Sequence, residues 1–294
     1  MNKTKTTFSA KRNLTLGLLA VFGFGLTQMA TASTLVYYRM GDDTSFVTDS
    51  SGNGNDFTAF NAVQTVIPAT GDGSAFSSPI PQTGDSNSSM ASFDGTQNMA
   101  AADPFGSLTS FTAEAYINLN SYSGSTQYVM SQWTTASNQR SWGIGVAASG
   151  GTGSASGNEL YLLMGEGVGG SSVIPLGLTV TSGTDYYIAV GYDGTTGTND
   201  IHFTYQNLST AGSLVSSTIS SGISTGINNS SATFRVGAYG SSAGSFWNGE
   251  IDEVRVSDTI LNQNELLAVI PEPSSLALVV LFGGLFVVGI RRRR

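Results

Sequence analysis

The sequence predicts an all-β fold, an antiparallel β-sandwich or jelly roll, and three observations carry that reading. Apolar residues recur at every second position in many short segments. Gly, Ser, Asn and Asp clusters bound those segments. The segments follow one another about every ten residues, the spacing of strands in sandwiches and jelly rolls. Two-layer packing then turns each apolar face inward and each polar face to water.

The clearest segment is 111–119. It sets Phe111, Ala113, Ala115, Ile117 and Leu119 on one face and Thr112, Glu114, Tyr116 and Asn118 on the other. Gln127 to Gln132, Trp142 to Ala147 and Glu159 to Met164 are shorter candidates. Tyr186, Ile188, Val190 and Tyr192 alternate with Tyr187, Ala189 and Gly191, and Ile201, Phe203 and Tyr205 alternate with His202 and Thr204. Phe234, Val236 and Ala238 make another face, and Ile251 to Val256 is the last strand candidate. Asn262 stands three residues before Glu265, a possible capping pair that predicts a helix over 261–270. Asn61 to Ser89 and Gly150 to Gly157 read as loops.

Composition excludes several functions. With no Cys there is no disulfide framework, no Cys-based zinc site and no cysteine nucleophile. A Ser-His-Asp triad would need His202, which sits on the polar side of its strand and reads as solvated. Nucleic-acid binding needs clustered Lys and Arg, and this chain is acidic, with a formal charge of −8. The glycine-rich stretches 150–157 and 165–170 lack a Lys and a following helix, so they are not phosphate cradles.

Eight of the twelve basic residues lie at the two ends. Lys3, Lys5, Lys11 and Arg12 precede the apolar run Leu14 to Leu26, and small residues stand at Ala30 and Ala32. That layout reads as a signal peptide over 1–32, cleaved after Ala32. Ser274 to Ile290 is an uncharged stretch of 17 residues, the short limit for a membrane-spanning helix. Arg291 to Arg294 follow it and would stay in the cytoplasm under the positive-inside rule. The body, 33–270, is then exported and tethered by its C-terminus. Removing the ends changes the charge: four arginines against nineteen carboxylates leave the body at −15, with no Lys.

Pro271-Glu272-Pro273, the apolar stretch and the terminal arginines together resemble the PEP-CTERM sorting signal of Gram-negative bacteria, over 271–294. The resemblance implies recognition by an exosortase, removal of the tail, and delivery to the cell surface or an extracellular polysaccharide matrix.

Within the body, Leu35 to Asp43, Asp49 to Asn55, Ser92 to Gly95, Ser110 to Tyr116, Tyr187 to Gly194 and Gly249 to Val256 occur in an order that resembles LamG-like (concanavalin A-like lectin/glucanase) jelly-roll domains. Tyr116 and Tyr187 stand where that family often has Trp. The resemblance implies the sandwich fold but no single function, because this fold hosts lectins, glucanases, receptors and structural modules.

Three kinds of site follow. Glu250, Asp252 and Glu253 look at first like the carboxylates of laminarinase-type glucanases. Retaining hydrolysis needs two carboxyl groups about 5–5.5 Å apart on one face. Strand alternation turns Glu253 away from Asp252, and Val254 stands where the second acid is needed. No catalytic pair is therefore expected. For a metal, the resemblance implies a structural calcium ligand at Asp252, with Asp42 or Asp43 adding a carboxylate and Gly52 or Asn53 a carbonyl. Such hard oxygens suit calcium, and the alternative is that 49–54 is an ordinary turn. For a sugar, Trp247 and Trp133 are candidate stacking platforms, with Trp142 assigned to the core.

The expected function is a non-catalytic exported surface or matrix protein that binds extracellular polysaccharide. The alternatives are a carbohydrate-active enzyme with an unrecognised site and a structural module without a ligand. A body this acidic favours calcium-bridged contact with acidic polysaccharide over direct attraction.

Overall fold

The computed structural model describes residues 32–269, except 43–44, 61–63, 67–75, 77–78, 135, 137–138, 167–169, 197, 199, 211, 224–225 and 241–242. The leader up to Thr31, the Pro271-Glu272-Pro273 motif and the apolar stretch 274–290 lie outside the described residues. Among the described residues, no helix is long and apolar enough to cross a membrane.

In chain order the strands are β1 (Thr34–Tyr38), β2 (Ala59–Phe60), β3 (Gln64–Val66), β4 (Met90–Asp94), β5 (Met99–Ala101), β6 (Ser110–Leu119), β7 (Gln127–Trp133) and β8 (Arg140–Val146). They continue as β9 (Glu159–Glu166), β10 (Gly170–Thr179), β11 (Asp185–Asp193), β12 (Ile201–Asn207), β13 (Val215–Ile219), β14 (Phe234–Val236) and β15 (Asn248–Ser257). One sheet has eight strands in the order β13-β12-β11-β6-β15-β4-β3, with β1 also paired to β15. The other has seven, β10-β9-β8-β7-β14-β5-β2. The pairings are antiparallel, for example Val190 opposite Ala113 and Val190 opposite Phe203. This is an all-β, two-sheet antiparallel sandwich, consistent with a jelly roll.

The main core lies between the sheets, and the period-two pattern fills it. Phe111, Ala113, Ala115, Ile117 and Leu119 of β6 join Ile188 and Val190 of β11 from one sheet. Trp142 and Ile144 of β8 and Leu160 and Leu162 of β9 meet them from the other. Phe111 and Trp142 stack across the layer with ring centroids 4.7 Å apart. β10 escaped the sequence pattern because Pro175 interrupts it. Its Ile174, Leu176 and Leu178 are nevertheless buried, and it is an edge strand, where a missing N–H is tolerated.

Two expectations need correction. The outer face of the eight-stranded sheet does not simply face water. Tyr37, Tyr116, Tyr187 and Ala189 form a second small core there with Leu266 and Leu267. Burying a leucine side chain contributes about 1.5–3 kcal/mol, so the C-terminal segment is an integral cover. The helix expected over 261–270 is only a short 3-10 turn, Gln263–Glu265, closed by the reciprocal Asn262–Glu265 capping box. The sheet takes the backbone groups that a longer helix would need. Glu265 offers its carbonyl to Arg255, and the Leu267 N–H donates to the Glu114 carboxylate.

Candidate functional site

β15 runs between β6 on one side and two shorter strands on the other. β4 pairs with Asn248 to Ile251, and β1 pairs with Val254 to Ser257. Neither covers 252–253. At that break the register against β6 slips between Asp252 and Arg255, a β-bulge. Glu253 takes the left-handed backbone conformation, φ 49°. The extra residue undoes the alternation, so Glu253 does not turn away from Asp252 as expected. Carboxylate oxygens of Asp42, Asp252 and Glu253 lie within 4.8 Å of one another. Asp252 is 1% exposed and Glu253 0%.

Each carboxylate has built partners. Asp252 accepts from the Asn87 amide (2.8 Å) and from the Glu253 N–H (2.9 Å). Glu253 accepts from the Tyr37 hydroxyl and pairs with Arg39 Nε at 3.3 Å. Asp42 accepts from the Ser88 N–H (2.8 Å), the Ser88 hydroxyl (2.7 Å) and the Ser89 N–H (3.2 Å). Arg39 also donates to the Ser86 carbonyl. The cluster therefore clamps 85–89 onto the gap in the sheet. Burial raises the Asp252 carboxyl well above the usual range, and Glu253 and Asp42 add to the effect. Burial also pushes Glu253 up to about 7, with Tyr37 and Arg39 pulling the other way. The Tyr37 hydroxyl is raised in turn, by burial and then by Glu253.

Of the expected metal ligands, the fold brings Asp42 and Asp252 together and adds Glu253. Asp43 lies outside the described residues. Gly52 and Asn53 go elsewhere: the Asn53 amide donates to the carbonyls of Thr34 (2.8 Å) and Leu35 (3.1 Å), at the opposite end of β1. Their segment is a turn organised by Asp49, which accepts from the backbone of Tyr37, Ser51 and Asn55. The donors that do converge are hard oxygens carrying excess negative charge, which fits a divalent cation such as calcium.

The indoles are not platforms. Trp247 is 0% exposed, and its Nε1 donates to the Asn118 carbonyl at 3.2 Å. Trp133 is 3% exposed, packed against Tyr239 with the Arg140 guanidinium over its ring. Neither offers a free face to a sugar. His202 lies on the outer face of the eight-stranded sheet, half-buried.

A family model described as the concanavalin A-like lectin/glucanases superfamily matches residues 93–267, more than half of the chain. The chain belongs to that superfamily. No curated protein matches it. Among solved structures it is similar to domain 4 of AbnA, an extracellular arabinanase from Geobacillus stearothermophilus, in complex with arabinotriose. That likeness has a TM-score of 0.50 at 14% identity and covers 82% of this chain and 99% of that one. The botulinum neurotoxin serotype D binding domain matches at TM-score 0.46 and 8% identity, covering 79% of this chain and 49% of that one. A SAP-like pentraxin from Limulus polyphemus matches at TM-score 0.42 and 14% identity, covering 62% and 80%.

The superfamily match includes Asp252 and Glu253 but not Asp42 or Asn87. Sequence reasoning missed Glu253, Asn87, Tyr37 and Arg39. One signal for Glu253 was present. Ile251, Val254 and Val256 are all core residues, and a step of three followed by a step of two requires an inserted residue between Ile251 and Val254.

Proposed function

We propose that this protein is a non-catalytic, exported surface or extracellular-matrix protein whose concanavalin A-like body binds carbohydrate. The observation that carries the non-catalytic reading is the sealing of its carboxylates. Asp252 and Glu253 are buried under 85–89, hydrogen-bonded to Asn87, Tyr37 and Arg39. A glycosidase pair needs an open cleft with a sugar ring between its carboxyl groups, about 5–5.5 Å or more apart. Asp252 and Glu253, at 1% and 0% exposure, offer no such cleft.

Superfamily membership supports a carbohydrate ligand, as does a fold likeness to an arabinanase domain whose structure is in complex with arabinotriose. The Asp42, Asp252 and Glu253 oxygens would hold a structural calcium ion, which would neutralise charge that two raised carboxyl groups otherwise relieve with protons. The two ends support export: a leader over 1–32, then Pro271-Glu272-Pro273, an apolar span and four arginines. In this reading an exosortase removes 271–294 and the body, 33–270, reaches the cell surface or matrix.

A glycan array run beside a glycan-hydrolysis screen tests the reading. Retention of neutral or acidic polysaccharides with no release of reducing sugar is the expected result. Turnover would replace it with an enzyme, and an empty array with and without calcium would leave a structural module.

A further inference from the structure

On the outer face of the eight-stranded sheet, far along the sheet from β15, lies a groove of about 490 Å³. Small-molecule sites span about 300–1,000 Å³. Its floor is the β12–β13 hairpin, where His202 pairs across to Thr218 and Thr204 to Ser216. The Thr204 and Ser216 hydroxyls are hydrogen-bonded at 2.9 Å. Its wall is the C-terminal segment, through Leu261, Gln263 and Leu266.

That wall is fixed from beneath. The Leu261 N–H donates to the Thr112 hydroxyl (2.9 Å), the Leu267 N–H donates to Glu114 (2.9 Å), and Arg255 donates to the Glu265 carbonyl (2.6 Å). The groove is therefore preformed, and little ordering is left to oppose binding.

The lining chemistry is narrow. It contains hydroxyls, one imidazole and one primary amide, each able to donate and accept, plus two leucines. Among the described residues, no carboxylate, Lys or Arg lines it. A charged ligand would lose water there without gaining a counter-charge. A ligand with many neutral hydroxyls and an apolar C–H face would be matched on both counts. We propose that this groove is a binding site for a neutral saccharide. The inference rests on the carbohydrate-binding reading above and gives it a location on β12, β13 and the C-terminal segment.

Affinity electrophoresis of the full chain in a polyoxyethylene detergent, with arabinan and dextran as neutral probes and alginate as the anionic one, tests it. Gln263→Ala and His202→Ala should each weaken retention by neutral probes about 3- to 10-fold, the loss of one neutral hydrogen bond. Ser216→Trp should abolish it by filling the groove, while Ser123→Trp, an exposed turn position on another part of the surface, should leave it unchanged. Gln263, Ser216 and Ser123 are exposed, so these variants retain the fold, which an unchanged melting curve checks. Neutral retention that survives all three groove variants overturns this site and leaves the carbohydrate reading standing. Retention by alginate alone overturns the neutral-ligand assignment. No retention by any probe overturns both.

Discussion

Glu253 reaches the buried cluster because its backbone turns left-handed, a conformation that costs an ordinary residue about 1–2 kcal/mol. The bulge then places two adjacent buried carboxylates beside the half-buried Asp42, and among the described residues Arg39 is the arginine paired with them. The consequence is a pH dependence of defined sign. Glu253 is raised from an ordinary carboxylate value to about 7, and Asp252 is raised as well. Between those values the folded state binds more protons than the unfolded state, so stability falls as pH rises. Without divalent cations, the melting temperature of the wild type relative to Glu253→Gln should therefore be highest near pH 4.5 and decline until about pH 7. Calcium should restore the loss at pH 7–8, and a chelator should remove the gain. A flat difference between the two proteins across this range would mean that the cluster carries no such proton. Asp252 and Asp42 were legible through the family resemblance. Asn87 and Ser88 were not, because they sit in a stretch whose composition reads only as a loop.

At the scale of elements, the C-terminal segment shows how a side-chain network redirects local propensity. Glu114 is fully buried on β6, and Arg255 donates to its Oε2 from Nε at 2.6 Å, with a terminal guanidinium nitrogen ion-paired to the same oxygen at 2.5 Å. Its remaining capacity binds the Tyr187 hydroxyl and the Leu267 N–H. One glutamate thus joins three strands and the covering segment. Glu114→Ala leaves Arg255 partnered only by a carbonyl in a buried site, a change that costs about 3–5 kcal/mol. Urea unfolding should show a lower midpoint with an unchanged slope. The double variant Glu114→Ala with Arg255→Met should recover much of the loss, because it removes the stranded charge; full additivity of the two would show that the pair is not coupled. Strands with clean alternation, such as β6, β11 and β12, were legible in the sequence because the inter-sheet core enforces period two. By alternation alone Tyr116, Glu114 and Tyr187 fall on the polar-facing side; the family resemblance implies a core role for the two tyrosines, but nothing in the local pattern announces that the distant C-terminal segment supplies that core.

For the molecule as a whole, charge is the dominant feature that the fold leaves in place. The body carries nineteen carboxylates against four arginines. Two of those arginines, Arg39 and Arg255, are committed to Glu253 and Glu114, so within 33–270 little cationic charge is left to offset the carboxylates. A surface of one sign destabilises the compact state by self-repulsion. Monovalent salt relieves it as the screening length falls from about 30 Å at 0.01 M to about 8 Å at 0.15 M. In the presence of a chelator, which removes any contribution from calcium, the melting temperature should rise by several degrees over that range. Most of the rise should come below 0.1 M, where screening changes fastest over the distances between surface carboxylates. The same charge separates the two modes of polysaccharide contact. Alginate, itself anionic, should bind more tightly as salt or calcium is added, whereas a neutral saccharide held by hydroxyls and an amide should be indifferent to both. Alginate retention that weakens with salt would instead point to a cationic patch, which in the full chain means the basic ends, since 33–270 has four arginines and no lysine.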